Sequence, residues 1–297
     1  MPGPPKPPVL HAVSFDVEEH FQVANFARAI PRDSWDRQPS RVERNVEVIL
    51  ALLARTGVRA TFFTLGWVAE RHREMVRRIV EGGHELASHG YDHRFVDALG
   101  EQGFREDIRK TKQILEAISG VAVLGFRAST FTITKRTPWA LSVLAEEGYR
   151  YDASIFPVRH PTYGVPDAPR HARLEPTRGG RAIVEFPPLT VRLLGRNVAA
   201  GGGGYFRLMP LRFTSWAFDR AEAEGLNGSL YLHPWEFDPE QPLVDAGLLA
   251  NFRHRVNLHK TERRLERLLR SRRFGTMRGA IEEALGADVL STSVRTA

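Results

Sequence analysis

Residues 9–20, VLHAVSFDVEEH, decide which fold this sequence predicts. Their apolar and β-branched first part, residues 9–15, is typical of a buried strand, and the acidic residues that follow mark its end. Because alternate residues of a strand point to the same side, Asp16 and Glu18 are expected to face one site together. Three carboxylates in such a short run also suit a solvated turn, but the apolar strand before them favours a shared functional site.

The same strand signal recurs along the chain in alternation with helical patterns. We predict further strands at residues 59–65, 84–88, 121–126, 149–153, 182–186 and 229–232, and helices at 42–55, 69–81, 104–118, 137–147 and 211–224. This alternation is typical of a largely parallel α/β sheet or barrel. Residues 157–180, where prolines recur without periodicity, predict a long loop or insertion. The four glycines of 201–204 predict a turn without chemistry, because no Gly-Lys-Ser/Thr motif follows.

Composition excludes several classes of protein. With 297 residues, 42% hydrophobic and 26% charged, the chain can bury a sizeable core and is close to the average soluble globular protein. No segment approaches the roughly 20 apolar residues that cross a bilayer. The proline-rich segment 1–10 lacks the apolar part of a secretory signal peptide, so we expect a cytoplasmic protein without a transmembrane segment. Because cysteine is absent, any metal must be held by His, Asp or Glu.

The net charge of +7 comes from one region of the chain. Residues 251–278 hold 10 Lys and Arg against 2 Asp and Glu, a surplus of 8 that leaves −1 for the rest. Partly helical spacing of apolar residues predicts a basic helical extension over 251–297, packed on a barrel domain formed by residues 11–250. A patch for an anionic glycan, nucleic acid or membrane surface is the alternative. We expect no nucleic-acid partner, because aromatic residues are not interleaved with the basic run.

Polar residues stand at the carboxyl ends of four other predicted strands, where catalytic side chains collect in such folds. His89 and His93 follow the strand at 84–88, and side chains four apart can meet one metal in a helix or turn. Two histidines and a carboxylate would leave positions open for water and substrate. Arg127, Asp152 and His233 end further strands. Each signal also has a structural alternative. His89 and His93 can be a chance pair and Arg127 a surface residue. Asp152 can be a capping residue and His233 a core-packed one.

Taken in order, these strand ends resemble the polysaccharide deacetylases of carbohydrate esterase family four, which share the NodB-homology fold. Four stretches make the resemblance closest to the exosortase (PEP-CTERM)-associated subgroup from exopolysaccharide gene clusters: residues 14–18 SFDVE, 148–157 GYRYDASIFP, 202–207 GGGYFR and 233–238 HPWEFD. Residues 252–274 also resemble the extension of that subgroup. Each motif alone is weakly specific, whereas their joint order is strongly specific and spans nearly the whole chain.

The resemblance implies an α/β fold, a distorted (β/α)7 barrel with a C-terminal helical extension. It also implies a hydrolase that removes N-acetyl groups from N-acetylhexosamine units of a polysaccharide or lipid-linked oligosaccharide in exopolysaccharide biosynthesis. One divalent metal is expected, Zn2+ first, with Co2+, Ni2+ and Mn2+ as alternatives. The expected partner is an N-acetylated glycan, together with a peripheral association with membrane biosynthetic machinery.

Carried over residue by residue, the resemblance assigns a role to each strand end. Asp16 would be the general base, tethered by Arg127. His233 would be the general acid, oriented by Asp152. Six further positions would bind metal or sugar: Glu18, His89 and His93 for the metal, and Phe131, Tyr205 and Trp235 for the sugar. A metal polarises the amide carbonyl, a carboxylate takes a proton from water and an imidazole gives one to the amine, so these residue types suit amide hydrolysis.

Two positions depart from the family pattern. Val17 separates the acids of the first motif, which are adjacent aspartates in most of the family, so Glu19 and His20 compete for the ligand role. Gly90 replaces the usual Ser or Thr after the first histidine, which removes a hydrogen bond that would orient a ligand. Two other functions therefore stay open: a metal-independent amide hydrolase of a small cyclic substrate, and a non-catalytic glycan-binding protein. In the latter, four aromatic residues would form stacking platforms: Trp67, Phe131, Tyr205 and Trp235.

Overall fold

The computed structural model describes residues 9–291 and contains a curled sheet with helices packed on it. The strands are β1 (His11–Val17), β2 (Thr61–Thr64), β3 (Glu85–Ser88), β4 (Gly125–Phe126), β5 (Tyr151–Asp152), β6 (Arg173–Pro176), β7 (Ala182–Glu185), β8 (Thr190–Leu193), β9 (Arg196–Ala199), β10 (Ser229–Leu232) and β11 (Phe274–Gly275). The helices are α1 (Val42–Thr56), α2 (Gly66–Arg71), α3 (Arg73–Glu81), α4 (Val96–Ser119), α5 (Ala140–Glu146), α6 (Gly203–Leu208), α7 (Leu211–Ala223), α8 (Leu248–Arg255), α9 (Thr261–Ser271) and α10 (Met277–Leu285).

The large sheet is almost entirely parallel. Its strands stand in the order β10-β1-β2-β3-β4-β5-β7-β6, with β11 beside β1, and of these only β6 runs antiparallel to its neighbour. Strands β8 and β9 form a separate hairpin. The curled parallel sheet and its helices confirm the predicted (β/α)7 type of fold.

Residues 189–202 narrow the gap between β7 and β10. The backbone N–H of Leu189 donates to the carbonyl of Ser229 at 2.9 Å, and the N–H of Tyr231 donates to the carbonyl of Gly201 at 2.8 Å. A Cβ at Gly201 would lie 2.4 Å from the Ser229 carbonyl oxygen. Glycine at this position therefore lets the chain approach β10 closely enough to extend the half-barrel.

Helix α1 illustrates how the helices attach to the sheet. Val46, Ile49 and Leu53 are fully buried, and their spacing of three and four residues places them on one face. The helix ends at Gly57, whose φ of +67° lies in the left-handed region that glycine adopts without strain. Pattern and stop signal were both visible in the sequence, and the structure confirms them.

Besides shifted bounds and the unpredicted hairpin of β8 and β9, the element predictions were wrong in three places. The helix predicted over residues 69–81 is two helices, α2 and α3, which are separated at His72. The loop predicted over 157–180 contains β6, which pairs with β7. Of the turn predicted for 201–204, residues 203 and 204 instead begin α6, and Gly203 is required by contact: a Cβ there would lie 1.9 Å from Glu236 Oε1.

The ends of the predicted domain division lie partly outside the described residues. Residues 1–8 of the proline-rich segment and 292–297 of the basic extension fall there, so the division itself stays a prediction. The extension contains α9 and α10, but it also contributes β11, in which Phe274 pairs with His11 of β1. From residue 9 to residue 291, no helix combines the length and apolar character needed to cross a bilayer.

Candidate active site

Asp16 and Arg127 form a buried ion pair at the carboxyl edge of the sheet. Asp16 lies at the end of β1, and Arg127 directly follows β4. Arg127 Nη1 donates to Asp16 Oδ1 at 2.6 Å and to Ser14 Oγ at 2.8 Å, and its Nε donates to the carbonyl of Ala153 at 3.3 Å. The tether that the resemblance implied is therefore present as a contact, and it engages Oδ1 while Oδ2 lies nearer His233.

Glu18, His89 and His93 lie close enough together to hold a metal ion. One donor atom from each lies within 4.8 Å of the other two, and all three residues are buried. His93 Nε2 approaches Glu18 Oε2 to 2.9 Å, yet outside hydrogen-bond geometry, and this oxygen has no donor among residues 9–291. A buried carboxylate oxygen without a donor is unfavourable, and a bound cation would satisfy it. The residues present therefore fit a divalent cation.

The protonation states of this cluster also suit a cation. His89 Nδ1 lies 2.8 Å from the carbonyl oxygen of Arg127, which can only accept, so Nδ1 carries the proton and Nε2 keeps a free lone pair. Burial lowers the pKa of His89 to about 4. Burial raises the pKa of Glu18, but the charges of His93 and His233 outweigh it and hold that pKa at about 2. At neutral pH the imidazole of His89 is neutral and the carboxylate is charged, as metal binding requires.

The turn after β3 has an unusual backbone. Gly90 has φ +77° and His93 has φ +58°, both in the left-handed region, which for His93 is a strained conformation held by its surroundings. Arg32, which no motif singled out, donates to two carbonyls of this turn at 3.0 Å each. The hydrogen bond lost because of Gly90 is not needed to orient His89, because the Arg127 carbonyl does so.

His233 follows β10 and is held by a carboxylate that sequence analysis missed. Glu236 Oε1 accepts from His233 Nδ1 at 2.7 Å and from the His233 backbone N–H at 3.0 Å. Burial lowers the pKa of His233, but the hydrogen bond to Glu236 and the charges of Glu18 and Asp16 outweigh it and raise the pKa to about 9. At neutral pH, Nε2 is therefore protonated, 3.7 Å from Glu18 Oε1 and 4.0 Å from Asp16 Oδ2.

A buried arginine balances the charge of Glu236. Arg207 Nε donates to Glu236 Oε2 at 2.5 Å, and its Nη1 donates to the carbonyls of His254 and Val256 at 2.9 Å each. Burial raises the pKa of Glu236, but Arg207 and His233 outweigh burial and lower it. The arrangement links His233 through Glu236 and Arg207 to α6 and to the end of α8.

The prediction that Asp152 orients His233 was wrong. The place at His233 Nδ1 is taken by Glu236. Asp152 Oδ1 instead accepts from Ser154 Oγ at 2.5 Å, and the same hydroxyl oxygen accepts from the N–H of Ala128 at 2.7 Å. Burial raises the pKa of Asp152. Asp152 thus supports the backbone next to Arg127, and four strands separate β5 from β10 in the sheet.

The two rivals for the ligand position have other surroundings. Glu19 accepts from the backbone N–H groups of Arg41 at 3.0 Å and Val42 at 3.2 Å, so it caps the start of α1. His20 is buried, with Nδ1 3.9 Å from Glu19 Oε2. The metal-ligand cluster contains Glu18 instead.

Trp235 contacts the metal-ligand cluster rather than offering an open face to a sugar. Its Nε1 donates to Glu18 Oε1 at 3.1 Å. The rings of His233 and His254 stack on it with centroid distances of 4.9 and 4.1 Å, and only 6% of the residue is exposed. The predicted sugar-stacking role of Trp235 is corrected on this ground: stacked imidazoles cover the indole, and its N–H orients Glu18.

A cavity of about 480 Å³ contains the catalytic candidates. Its lining includes Asp16, Glu18, His89, His93, Phe131 and His233. Phe131 is 5% exposed and packs on Tyr231 at a centroid distance of 4.8 Å, so a sugar contact at its edge stays a prediction. Tyr205 lines an adjoining cavity instead, which separates it from the reacting groups.

Comparison with known proteins agrees with this fold. Residues 34–151 match the family model "Polysaccharide deacetylase", and residues 153–282 match "Domain of unknown function (DUF3473)". His89, His93 and Arg127 lie in the first region and His233 in the second, whereas Asp16 and Glu18 precede both.

Curated relatives match over short stretches. A peptidoglycan-N-acetylglucosamine deacetylase of Bacillus cereus is 39% identical over 74 residues, which cover 25% of this chain and 27% of that protein. A chitooligosaccharide deacetylase of Rhizobium leguminosarum bv. trifolii is 36% identical over 80 residues, which cover 27% and 37%. The chain spans less than two fifths of the length of these curated relatives.

Solved structures match over nearly the whole chain. A crystal structure assigned to a polysaccharide deacetylase of Mycobacterium smegmatis has a TM-score of 0.65 at 20% identity, covering 99% of this chain and 96% of that one. The Puue allantoinase has a TM-score of 0.61 at 19% identity, covering 95% and 91%. At these identities the likeness shows the fold alone. Residues 34–151 therefore resemble the polysaccharide deacetylase family, and the solved structures show a fold of the same type.

Proposed function

We propose that this protein is a metal-dependent hydrolase that removes N-acetyl groups from N-acetylhexosamine units of a glycan. The proposal depends above all on one observation: an acid and a base, His233 and Asp16, approach to 4.0 Å beside three residues that can hold a metal. The family match and the curated relatives, which are deacetylases of N-acetylated glycans by name, support the substrate class.

Each residue has a distinct part in the proposed hydrolysis. When bound, the divalent metal would polarise the amide carbonyl and offset negative charge on its oxygen. Asp16 would take a proton from the attacking water through Oδ2, since Arg127 engages Oδ1. The water oxygen bonds to the carbonyl carbon, the carbon–nitrogen bond breaks, and His233 Nε2 protonates the leaving nitrogen. The products are a sugar amine and acetic acid, which ionises to acetate; Asp16 then gives its proton to solvent and His233 takes one up, so atoms and charges balance.

Two finer assignments belong to the proposal. We expect Zn2+ first, because two imidazoles and one carboxylate are common ligands of zinc and of its neighbours in the divalent series. A role in exopolysaccharide synthesis within the exosortase-associated subgroup rests on motifs such as residues 148–157 and 233–238. The separate family match of residues 153–282 adds a hint in the same direction.

The activity is tested by measuring acetate released from N-acetylglucosamine oligomers. We expect Asp16→Asn and His233→Gln each to lower kcat by about 10²-fold or more, the range of general acid–base contributions. Asp33→Asn, at an exposed aspartate, is the control and should leave kcat unchanged. Acetate release that survived both site substitutions would contradict the proposed acid and base.

The metal is tested independently of activity by elemental analysis after exposure to zinc. We expect about one equivalent in the unaltered protein and a large loss in His89→Ala and His93→Ala. His259→Ala replaces an exposed histidine and should retain the metal. Undiminished metal in the first two variants would place it elsewhere, and acetate release that continues after complete metal removal would contradict metal dependence.

A further inference from the structure

A second cavity adjoins the catalytic cavity and has no part in the proposed chemistry. Its volume is about 510 Å³, and it is bounded by α6, by α8 and by residues shared with the catalytic cavity. The shared residues are Val23, Asn25, His160, Tyr163, Trp235 and Arg253. The two cavities therefore lie side by side, close enough for a group attached to a sugar in the first to reach the second.

Three apolar side chains that line the second cavity remain open to solvent. Leu208 is 55% exposed, Leu249 is 61% exposed and Phe252 is 58% exposed, and all three line it. Clustered exposed apolar residues of this kind mark binding sites, because leaving them in water is unfavourable. Polar side chains such as Asn25, His160 and Arg253 complete the lining, but among residues 9–291 it includes no aspartate or glutamate, so these residues offer no carboxylate to a cationic group.

The chemistry of these side chains favours hydrocarbon over sugar. A sugar unit presents hydroxyl groups that need hydrogen-bond partners when they leave water, and the side chains of Leu208, Leu249 and Phe252 have none to offer. A hydrocarbon chain has no such requirement and gains by covering the same surface.

We infer that the second cavity receives a hydrocarbon chain attached to the substrate sugar, so that the protein acts on amphiphilic, lipid-linked glycan units. The inference rests on the proposed function for the sugar end and deepens it by naming what the sugar carries. Adjacency to the catalytic cavity is the reason for assigning the hydrocarbon chain to the substrate itself, since Trp235 and Arg253 line both cavities.

The inference is tested by binding, without need of turnover. Calorimetry would compare the methyl and octyl β-glycosides of N-acetylglucosamine below the concentration at which the latter forms micelles. We expect the octyl glycoside to bind at least tenfold more tightly, because burial of two methylenes at about 0.8 kcal/mol each suffices for that ratio. Leu249→Ser and Phe252→Ser should reduce the ratio to about threefold or less and leave the methyl glycoside unchanged.

The structure offers a matched control on the same helix. Leu248 is 93% exposed and does not line the cavity, so Leu248→Ser should keep the full octyl preference. All three positions are solvent-exposed, and these substitutions should leave the fold intact.

Three results would overturn the inference. The first is equal affinity of the unaltered protein for the two glycosides. The second is an equal loss in Leu248→Ser and Leu249→Ser, which would indicate a surface for a bilayer. The third is an affinity for N,N′-diacetylchitobiose that exceeds that for the methyl glycoside as much as the octyl glycoside does, with an equal loss in Phe252→Ser. This result would indicate a second sugar site. An octyl preference without acetate release would refute the proposed function alone, and acetate release without the preference would refute this inference alone.

Discussion

Glu236→Gln is the substitution that most directly tests how His233 is held. The change keeps the size of the side chain and an oxygen that can accept from His233 Nδ1, but it removes the negative charge. Arg207 would then be a buried cation without its carboxylate, since its side chain is 2% exposed and that of Glu236 is 0% exposed. Breaking a buried ion pair by removing one partner costs about 3–5 kcal/mol of folding stability.

The structure narrows the expected loss of folding stability in Glu236→Gln. Arg207 also donates to the carbonyls of His254 and Val256, which would still satisfy part of the guanidinium, so we expect about 3 kcal/mol. His233 would lose a charged hydrogen-bond partner. Burial would then lower the pKa of His233 and favour its neutral form. We expect kcat for acetate release to fall by about 10–100-fold, as when a hydrogen-bond partner of an active-site histidine is lost.

A double-mutant cycle separates the ion pair from general disruption. Arg207→Met removes the other charge, and we expect the double variant to lose less stability than the sum of the single losses, by about 1–3 kcal/mol. Urea unfolding measures stability, and acetate release measures kcat. Glu240→Gln is the control, because Glu240 forms an exposed pair with Arg44 and should cost at most about 1 kcal/mol. Additive losses, or a loss in Glu236→Gln no larger than in Glu240→Gln, would refute the reasoning.

Two further predictions concern single positions. Gly203→Ala should cost about 1–3 kcal/mol because its Cβ would lie 1.9 Å from Glu236 Oε1, whereas Gly204→Ala, with nothing within 4 Å, should be neutral or stabilising by up to about 1 kcal/mol. Equal urea midpoints for Gly203→Ala and Gly204→Ala would contradict the close contact between residue 203 and Glu236. Burial raises the pKa of Asp107 to about 7, so its contribution to stability is full below 3.8 and is lost as the pH rises through 7. At 1.36 kcal/mol per pKa unit, this rise corresponds to about 4 kcal/mol, which we halve because the side chain is partly exposed. Asp107→Asn should therefore reduce the pH dependence of stability by about 2 kcal/mol. Parallel pH curves for this variant and for the exposed control Glu106→Gln would contradict it.

Strand ends were predictable because parallel strands finish at one edge of the sheet. Each apolar run located a strand, and the polar residue after it therefore pointed to the same edge, which brought Asp16, His89, Arg127 and His233 together. The same logic failed for Asp152, because a shared edge does not determine which side chains touch. Glu236 carried an unused signal: it stands three residues after His233 with proline between them, and the two form a capping box.

By itself the sequence determined the α/β class, the order of the main parallel strands and the residue types that could hold a metal, since periodicity and strand-end chemistry are local properties. Only the tertiary structure decided that Arg207 neutralises Glu236, that Trp235 orients Glu18 and that a second cavity adjoins the first. These features depend on contacts between segments far apart in the chain: 217 residues separate Trp235 from Glu18. Packing sets such contacts, and no local pattern encodes which distant side chain fills a given space.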